Sequence, residues 1–168
     1  YTLLIIPFLT GQTLESVVSG KHRSGKNKAR DQYRNPVETL NFFGIKNNMT
    51  VVELNPGGGW YQDILAPFLK DKGRYITATY DPDSKSEYRR NSYDAEMKRL
   101  KGNKKLYGTP QVVSLSGEVY GEEGAADMVL SFRNYHNWVG NSEFEKLRAI
   151  YRTLKSGGIF GITDHRSD

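Results

Sequence analysis

Arg133-Asn134-Tyr135-His136-Asn137-Trp138 gathers a guanidinium, two amides, a phenol, an imidazole and an indole into one short run. Such groups on a loop suggest a site rather than a core strand. Histidine is the residue type whose unperturbed pKa is near neutral, so His136 is the candidate general base, and its alternative is a structural imidazole. Arg133 suits an acidic substrate or a carboxylate partner, and Asn134 and Trp138 are candidate substrate contacts. Asp164-His165 is a second polar pair, but two residues do not make a metal site and no metal centre is expected. The third segment is Val51-Val52-Glu53-Leu54-Asn55-Pro56-Gly57-Gly58-Gly59-Trp60. An apolar run carries an acid into a glycine loop, where the backbone can approach a ligand closely. The chain contains no cysteine, which excludes disulfide scaffolds, iron–sulfur sites and thiol nucleophiles.

The elements that must position these groups alternate. Strands are expected at 50–54, 75–80, 110–115, 128–132 and 159–163, with helices at 36–43, 60–69, 84–100 and 142–154. Tyr88, Met97 and Leu100 are the expected apolar contacts of the third helix. For the fourth, Ser142 is the expected cap, Phe144, Leu147, Ile150, Tyr151 and Leu154 the inner face, and Gly157-Gly158 the stop. Lys101 to Lys105 reads as a polar turn, and Lys21 to Arg34 as a basic loop entering a short helix. Alternation of this kind predicts an α/β fold, a Rossmann-like open parallel sheet with helices on both faces. Ligands of such sheets bind beyond the carboxyl ends of the strands.

The glycine loop discriminates among nucleotide binders. A phosphate loop needs Gly-Lys-Ser/Thr, and Trp60 and Tyr61 follow Gly59 instead; a dinucleotide fingerprint needs a small residue where Gln62 stands. With Glu53, Gly57 and Gly59, the chain resembles the class I SAM-dependent methyltransferases, Asn55 replacing the first glycine of their opening motif. Ala126 to Phe132 resembles their fourth strand, and Tyr151 to Phe160 their Gly-Gly turn into strand five. Residues 56–61 and 132–138 resemble a subgroup of predicted methyltransferases. The resemblance covers roughly Lys21 to Arg166 and implies S-adenosylmethionine as cofactor. Glu53 would then orient the methionine ammonium, while Gly57 and Gly59 admit the methionine moiety. Trp60 and Tyr61 either flank the cofactor or pack at the helix start. The family's ribose-binding acid falls at Thr79, with Asp81 the nearest carboxylate. Alternation along the strand puts Thr79 and Asp81 on one side and Tyr80 on the other. Arg30, Asp31, Tyr33 and Arg34 form either a lid or a packed arm.

The family sheet has seven strands and five are legible here, so the last strands are expected to lie beyond Asp168. The expected organisation is a segment 1–20 followed by a methyltransferase domain over 21–168. Leu3 to Leu9 is apolar but too short to span a bilayer. It reads as a signal-peptide remnant, which implies a periplasmic or secreted protein, or as a docked strand, which leaves a cytoplasmic one. A net charge of +5 permits nucleic-acid contact. The motif expected for flipped bases is absent after strand four, so a small-molecule acceptor is favoured. A non-catalytic binding module of the same fold is the alternative.

Overall fold

The computed structural model describes residues 12–140 and 142–165. The apolar run 3–9 lies outside them. Four short helices come first: α1 (Leu14–Val18), α2 (Gly25–Lys28), α3 (Asp31–Arg34) and α4 (Pro36–Phe42). Then follow β1 (Thr50–Leu54), α5 (Gln62–Leu69), β2 (Arg74–Thr79), α6 (Glu87–Gly102), α7 (Lys104–Tyr107), β3 (Gln111–Ser114), β4 (Ala126–Phe132), α8 (Glu143–Thr153) and β5 (Leu154–Thr163). The strands form one parallel sheet in the order β3-β2-β1-β4-β5. The expected open α/β sheet is therefore observed.

Period-2 alternation divides the sheet residues between two cores. Val51, Met128 and Leu130 face α1, α4 and α5, whereas Val52, Leu54, Ile76, Ala78 and Val129 face Tyr120, Trp138 and the Ala149–Ile150 turn of α8. Leu14, Val17 and Val18 are buried, so the chain from Leu14 onward belongs to the folded unit. Pro67 lies inside α5 and cannot donate to the carbonyl of Asp63. The His22 ring supplies that hydrogen bond instead, Nε2 donating to the Asp63 oxygen at 2.9 Å.

Several local expectations need correction. In α8 the buried residues are Ala149, Ile150 and Thr153, while Phe144 and Tyr151 are 73% and 81% exposed. Ile150 is buried as expected, and the smaller Ala149 and Thr153 share its face. The Thr153 hydroxyl donates to the Ala149 carbonyl and accepts from the Tyr120 N–H, so its burial is satisfied. Ser142 makes no side-chain cap. Gly157 and Gly158 lie within β5, which starts directly after the helix and meets β4 through an irregular register near Ala126. In α6 Tyr88 is exposed, and Leu100 is buried together with Glu96. The 101–105 stretch is the end of α6 and the start of α7. No helix among the described residues is long and apolar enough to cross a membrane.

Candidate functional site

The glycine loop leaves β1 through three positive φ values: Asn55 at 48°, Gly57 at 55° and Gly59 at 78°. Asparagine is among the few side-chain-bearing residues that enter this region readily, so Asn55 keeps the turn that a glycine would make. At Gly59 a β-carbon would also lie 2.5 Å from Arg99 Nε. Arg99 spans the loop, donating from Nε to the Gln62 side chain at 2.7 Å and from Nη2 to the Gly57 carbonyl at 3.3 Å.

Beneath the loop is a buried polar layer. Glu53 accepts from the Tyr75 hydroxyl at 2.6 Å, and Glu96 accepts from Thr77 Oγ1 at 2.6 Å and Gln62 Nε2 at 2.9 Å. Burial dominates the titration of Glu53: the neighbouring Glu96 adds to the rise, the Tyr75 hydrogen bond and Arg99 oppose it, and the pKa is pushed up to about 8. An unfolded glutamate ionises near 4.5, so between these values folding takes up a proton at Glu53. Its contribution to stability is fully present below about pH 4.5 and is lost as the pH rises through about 8. Thermal melts at pH 5, 6.5 and 8 are expected to show wild type losing stability relative to Glu53→Gln as pH rises. Identical slopes for the two proteins would mean that Glu53 is charged throughout.

Two cavities open at the carboxyl ends of the strands. The first, about 380 Å³, is lined from four strand ends: Asn55 after β1, Tyr80 after β2, Leu115 to Gly117 after β3, and Asn134, Asn137 and Trp138 after β4. Lys146, Glu145 and Arg89 close it from α8 and α6. Asn134 Oδ1 accepts from Asn55 Nδ2 at 3.1 Å and from Asn137 Nδ2 at 3.0 Å, which fixes the orientation of the Asn134 amide. Asn55 Nδ2 also reaches the Tyr80 hydroxyl at 3.3 Å. Among the described residues the buried Asn134 Nδ2 has no hydrogen-bond partner, and a buried donor left unpaired is costly.

The second cavity, about 260 Å³, lies between the α3–α4 arm and the ends of β4 and β5. Tyr33, Arg34, Asn35, Tyr61, Arg133 and Asp164 are among its lining residues. Consecutive residues Arg133 and Asn134 line different cavities, and the backbone divides them by placing Arg133 at φ 52°. Asn35 has φ 40°. All three non-glycine residues with positive φ among those described, Asn35, Asn55 and Arg133, thus line one of the two cavities, and such backbone concentrates at functional sites.

His136 stands beside the second cavity. Its Nδ1 lies 2.8 Å from Asp164 Oδ1, and its backbone N–H donates to Oδ2 at 3.0 Å. The His165 N–H also donates to Oδ1, at 2.7 Å. Burial alone would raise the pKa of Asp164, but the hydrogen bonds from His136 and His165 outweigh it and hold the carboxyl below its usual range. An Nδ1–H shared with this carboxylate leaves Nε2 as the basic atom of an exposed ring. His136, Asp164 and His165 bring donor atoms within 4.8 Å of one another. Arg133 Nη2 lies 3.1 and 3.2 Å from the two His165 ring nitrogens, and a guanidinium there opposes a metal cation.

Of the residues singled out in the sequence, Asn55, Asn134 and Trp138 line the first cavity and Arg133 the second. Glu53 is buried below the loop, and Gly57 and Gly59 line neither cavity. Trp60 is buried, and its Nε1 donates to the Asn27 carbonyl at 2.9 Å. Thr79 is buried, and the Asp81 carbonyl accepts from the Ser84 N–H in a turn. Tyr80, between them, reaches the cavity: the strand end presents its other side. The same alternation rule would have found Tyr80 had both sides of β2 been followed. Asn137, Arg89 and Lys146 carried no spacing signal, because three separate segments bring them together.

No family model matches the chain, and no curated protein matches it. Solved structures do. A SAM-dependent methyltransferase from Aquifex aeolicus aligns with a TM-score of 0.65 at 17% identity, over 91% of this chain and 73% of that one. An arsenic(III) S-adenosylmethionine methyltransferase from Chlamydomonas reinhardtii aligns at 0.54 and 19% identity, over 90% of this chain and 48% of its own. Coclaurine N-methyltransferase bound to N-methylheliamine and SAH aligns at 0.53 and 15% identity, over 88% of this chain and 41% of its own. The chain therefore spans less than half the length of the latter two. What these likenesses show is the fold: a five-stranded parallel α/β sheet of the Rossmann-like kind on which these methyltransferases are built.

Proposed function

We propose that the chain binds S-adenosylmethionine in the first cavity and transfers its methyl group to a small acceptor entering from the second. The observation that carries this reading is a cavity walled by the ends of β1, β2, β3 and β4, with the Asn134 side chain in its lining. A volume of about 380 Å³ falls within the range of ligand pockets, on the order of 300–1,000 Å³. The residues fit the cofactor by their chemistry: Tyr80 and Trp138 offer aromatic walls, and Asn134, Lys146 and Arg89 offer donors for an acidic group. Tyr80 at the β2 end, with Asn55 beside it at the β1 end, takes the place of Thr79 and Asp81 as the contact offered there. Glu53, protonated and bonded to Tyr75, supports the glycine loop from below.

When bound, the cofactor supplies a methyl group on a positively charged sulfur. The leaving group is good, so positioning carries much of the rate and the protein's remaining task is the acceptor proton. His136 is set for it: Asp164 holds Nδ1–H, and Nε2 takes the proton that an acceptor O–H or N–H loses. Calorimetry should show saturable binding of S-adenosylmethionine and S-adenosylhomocysteine. A radiolabelled methyl donor offered with a panel of small acceptors should then give transfer that His136→Ala reduces at least a hundredfold without weakening S-adenosylhomocysteine binding. Binding with no transfer to any acceptor would favour the non-catalytic module, and no binding would overturn both readings.

A further inference from the structure

The second cavity has a charge arrangement that the fold does not require. Arg23 is paired with Asp31, and Arg152 with Glu118 and Glu123, while Arg99 is held by the Gln62 side chain and the Gly57 carbonyl. Arg34 and Arg133 line one cavity, and among the described residues neither forms an ion pair with a carboxylate. The one acid in the wall, Asp164, is committed to the His136 ring and to two backbone N–H groups. Like charges are thus collected here rather than dispersed. Burial, and the nearby cations of Arg30 and Arg133, lower the pKa of Arg34.

Both guanidiniums are held by structure. The Arg34 guanidinium carbon lies 4.6 Å from the centre of the Trp60 ring, on a helix that ends in the Asn35 turn at φ 40°. Arg133 is turned toward this cavity by its own positive φ and lies against the His165 ring. Guanidiniums recognise carboxylate and phosphate oxygens through paired N–H groups. An anion between them neutralises the two cations, and the rest of the molecule then lies beside the His136–Asp164 pair.

We propose that the second cavity holds an anionic group, a carboxylate or a phosphate, between Arg34 and Arg133, and that this group belongs to the methyl acceptor. The second half of that statement rests on the methyl-transfer reading; the anion site does not. Benzoate and phenyl phosphate are suitable probes, with benzamide as the neutral match for benzoate. Titrations are run on the free protein and on protein saturated with S-adenosylhomocysteine. Both anions should bind in each case, at least tenfold more tightly than benzamide. Arg34→Gln and Arg133→Asn should each weaken anion binding tenfold or more while leaving S-adenosylhomocysteine affinity unchanged. Asparagine is chosen at 133 because it tolerates positive φ. Arg34→Lys, which keeps the charge, should bind more tightly than Arg34→Gln and guards against a loss caused by unfolding. Absent anion binding, equal affinity for benzoate and benzamide, or anion binding unaffected by both substitutions would overturn the proposal. If the anions bind in an arginine-dependent way but S-adenosylhomocysteine does not, the cofactor reading falls and the anion site stands.

Discussion

Replacing Asn134 with aspartate is expected to weaken S-adenosylhomocysteine binding tenfold or more, and to lower the melting temperature as well, because it places a carboxylate at a buried position. Aspartate keeps the oxygen that accepts from Asn55 and Asn137, so the contacts joining the ends of β1 and β4 survive. It removes only Nδ2, the buried donor without a partner. A hydrogen bond from this donor to a charged group is worth about 1.5–3 kcal/mol, and about 1.4 kcal/mol is a factor of ten in affinity. The added negative charge also repels a carboxylate brought to the same place. Calorimetric titration of both proteins decides the matter. An unchanged or tighter dissociation constant would mean that a cationic part of the ligand faces Asn134, and the assignment of the cavity wall would be reversed.

Asp31→Ala is expected to destabilise the protein by about 3–5 kcal/mol, the cost of leaving a buried charge unpaired. The Arg23 side chain is fully buried. Its guanidinium donates to both Asp31 oxygens and to the Val18 carbonyl, each at 2.7 Å. Without Asp31 the cation stays in the interior with the Val18 carbonyl and the Trp60 ring as its remaining partners. Urea denaturation should show the loss as a lower midpoint. The double substitution Arg23→Met with Asp31→Leu should recover much of it, because an apolar pair avoids the desolvation cost. A loss below about 1 kcal/mol for Asp31→Ala would place the pair with ordinary surface bridges. Because Arg34 follows on the same short helix, loosening this clamp should also weaken benzoate binding in the second cavity.

The sheet was legible because its strands are short apolar runs punctuated by glycine and polar turns, and the glycine loop was legible because few residues tolerate its φ values. Asn55 tested that second rule: its side chain departs from the glycine pattern, yet its backbone does not. The helix faces were less legible. Spacing along α8 found Ile150 but also favoured Phe144, Leu147 and Tyr151, which stay exposed, whereas Ala149 and Thr153 share the covered face; the spacing of large apolar side chains does not reveal which face will be covered. Glu53 was legible as the acid of an apolar run, whereas the buried Glu96 was invisible for a different reason. Glu96 sits in a charged, weakly amphipathic helix and is buried because Gln62 and Thr77, both distant in sequence, supply its donors. The candidate site divides likewise. His136 and Arg133 stood out by residue type, whereas the Asp164 partnership and the meeting of Arg34 with Arg133 depend on β5 and the N-terminal arm arriving at the same end of the sheet.

The chain holds two tryptophans, one lining the first cavity and the other packed against an arginine of the second. Trp138 lines the first and packs edge-on against Tyr135, with ring centres 4.6 Å apart. Trp60 is buried, with the Arg23 and Arg34 guanidinium carbons 4.9 and 4.6 Å from its ring centre, and Arg34 lines the second. Indole emission responds to nearby charge and to solvent, so the two rings form a pair of optical reporters already built into the protein. An anion drawing Arg34 off the Trp60 ring would change one emission component, and a ligand covering Trp138 would change the other. Occupancy of the two cavities, and the order in which they fill, can therefore be followed by light without attaching a dye.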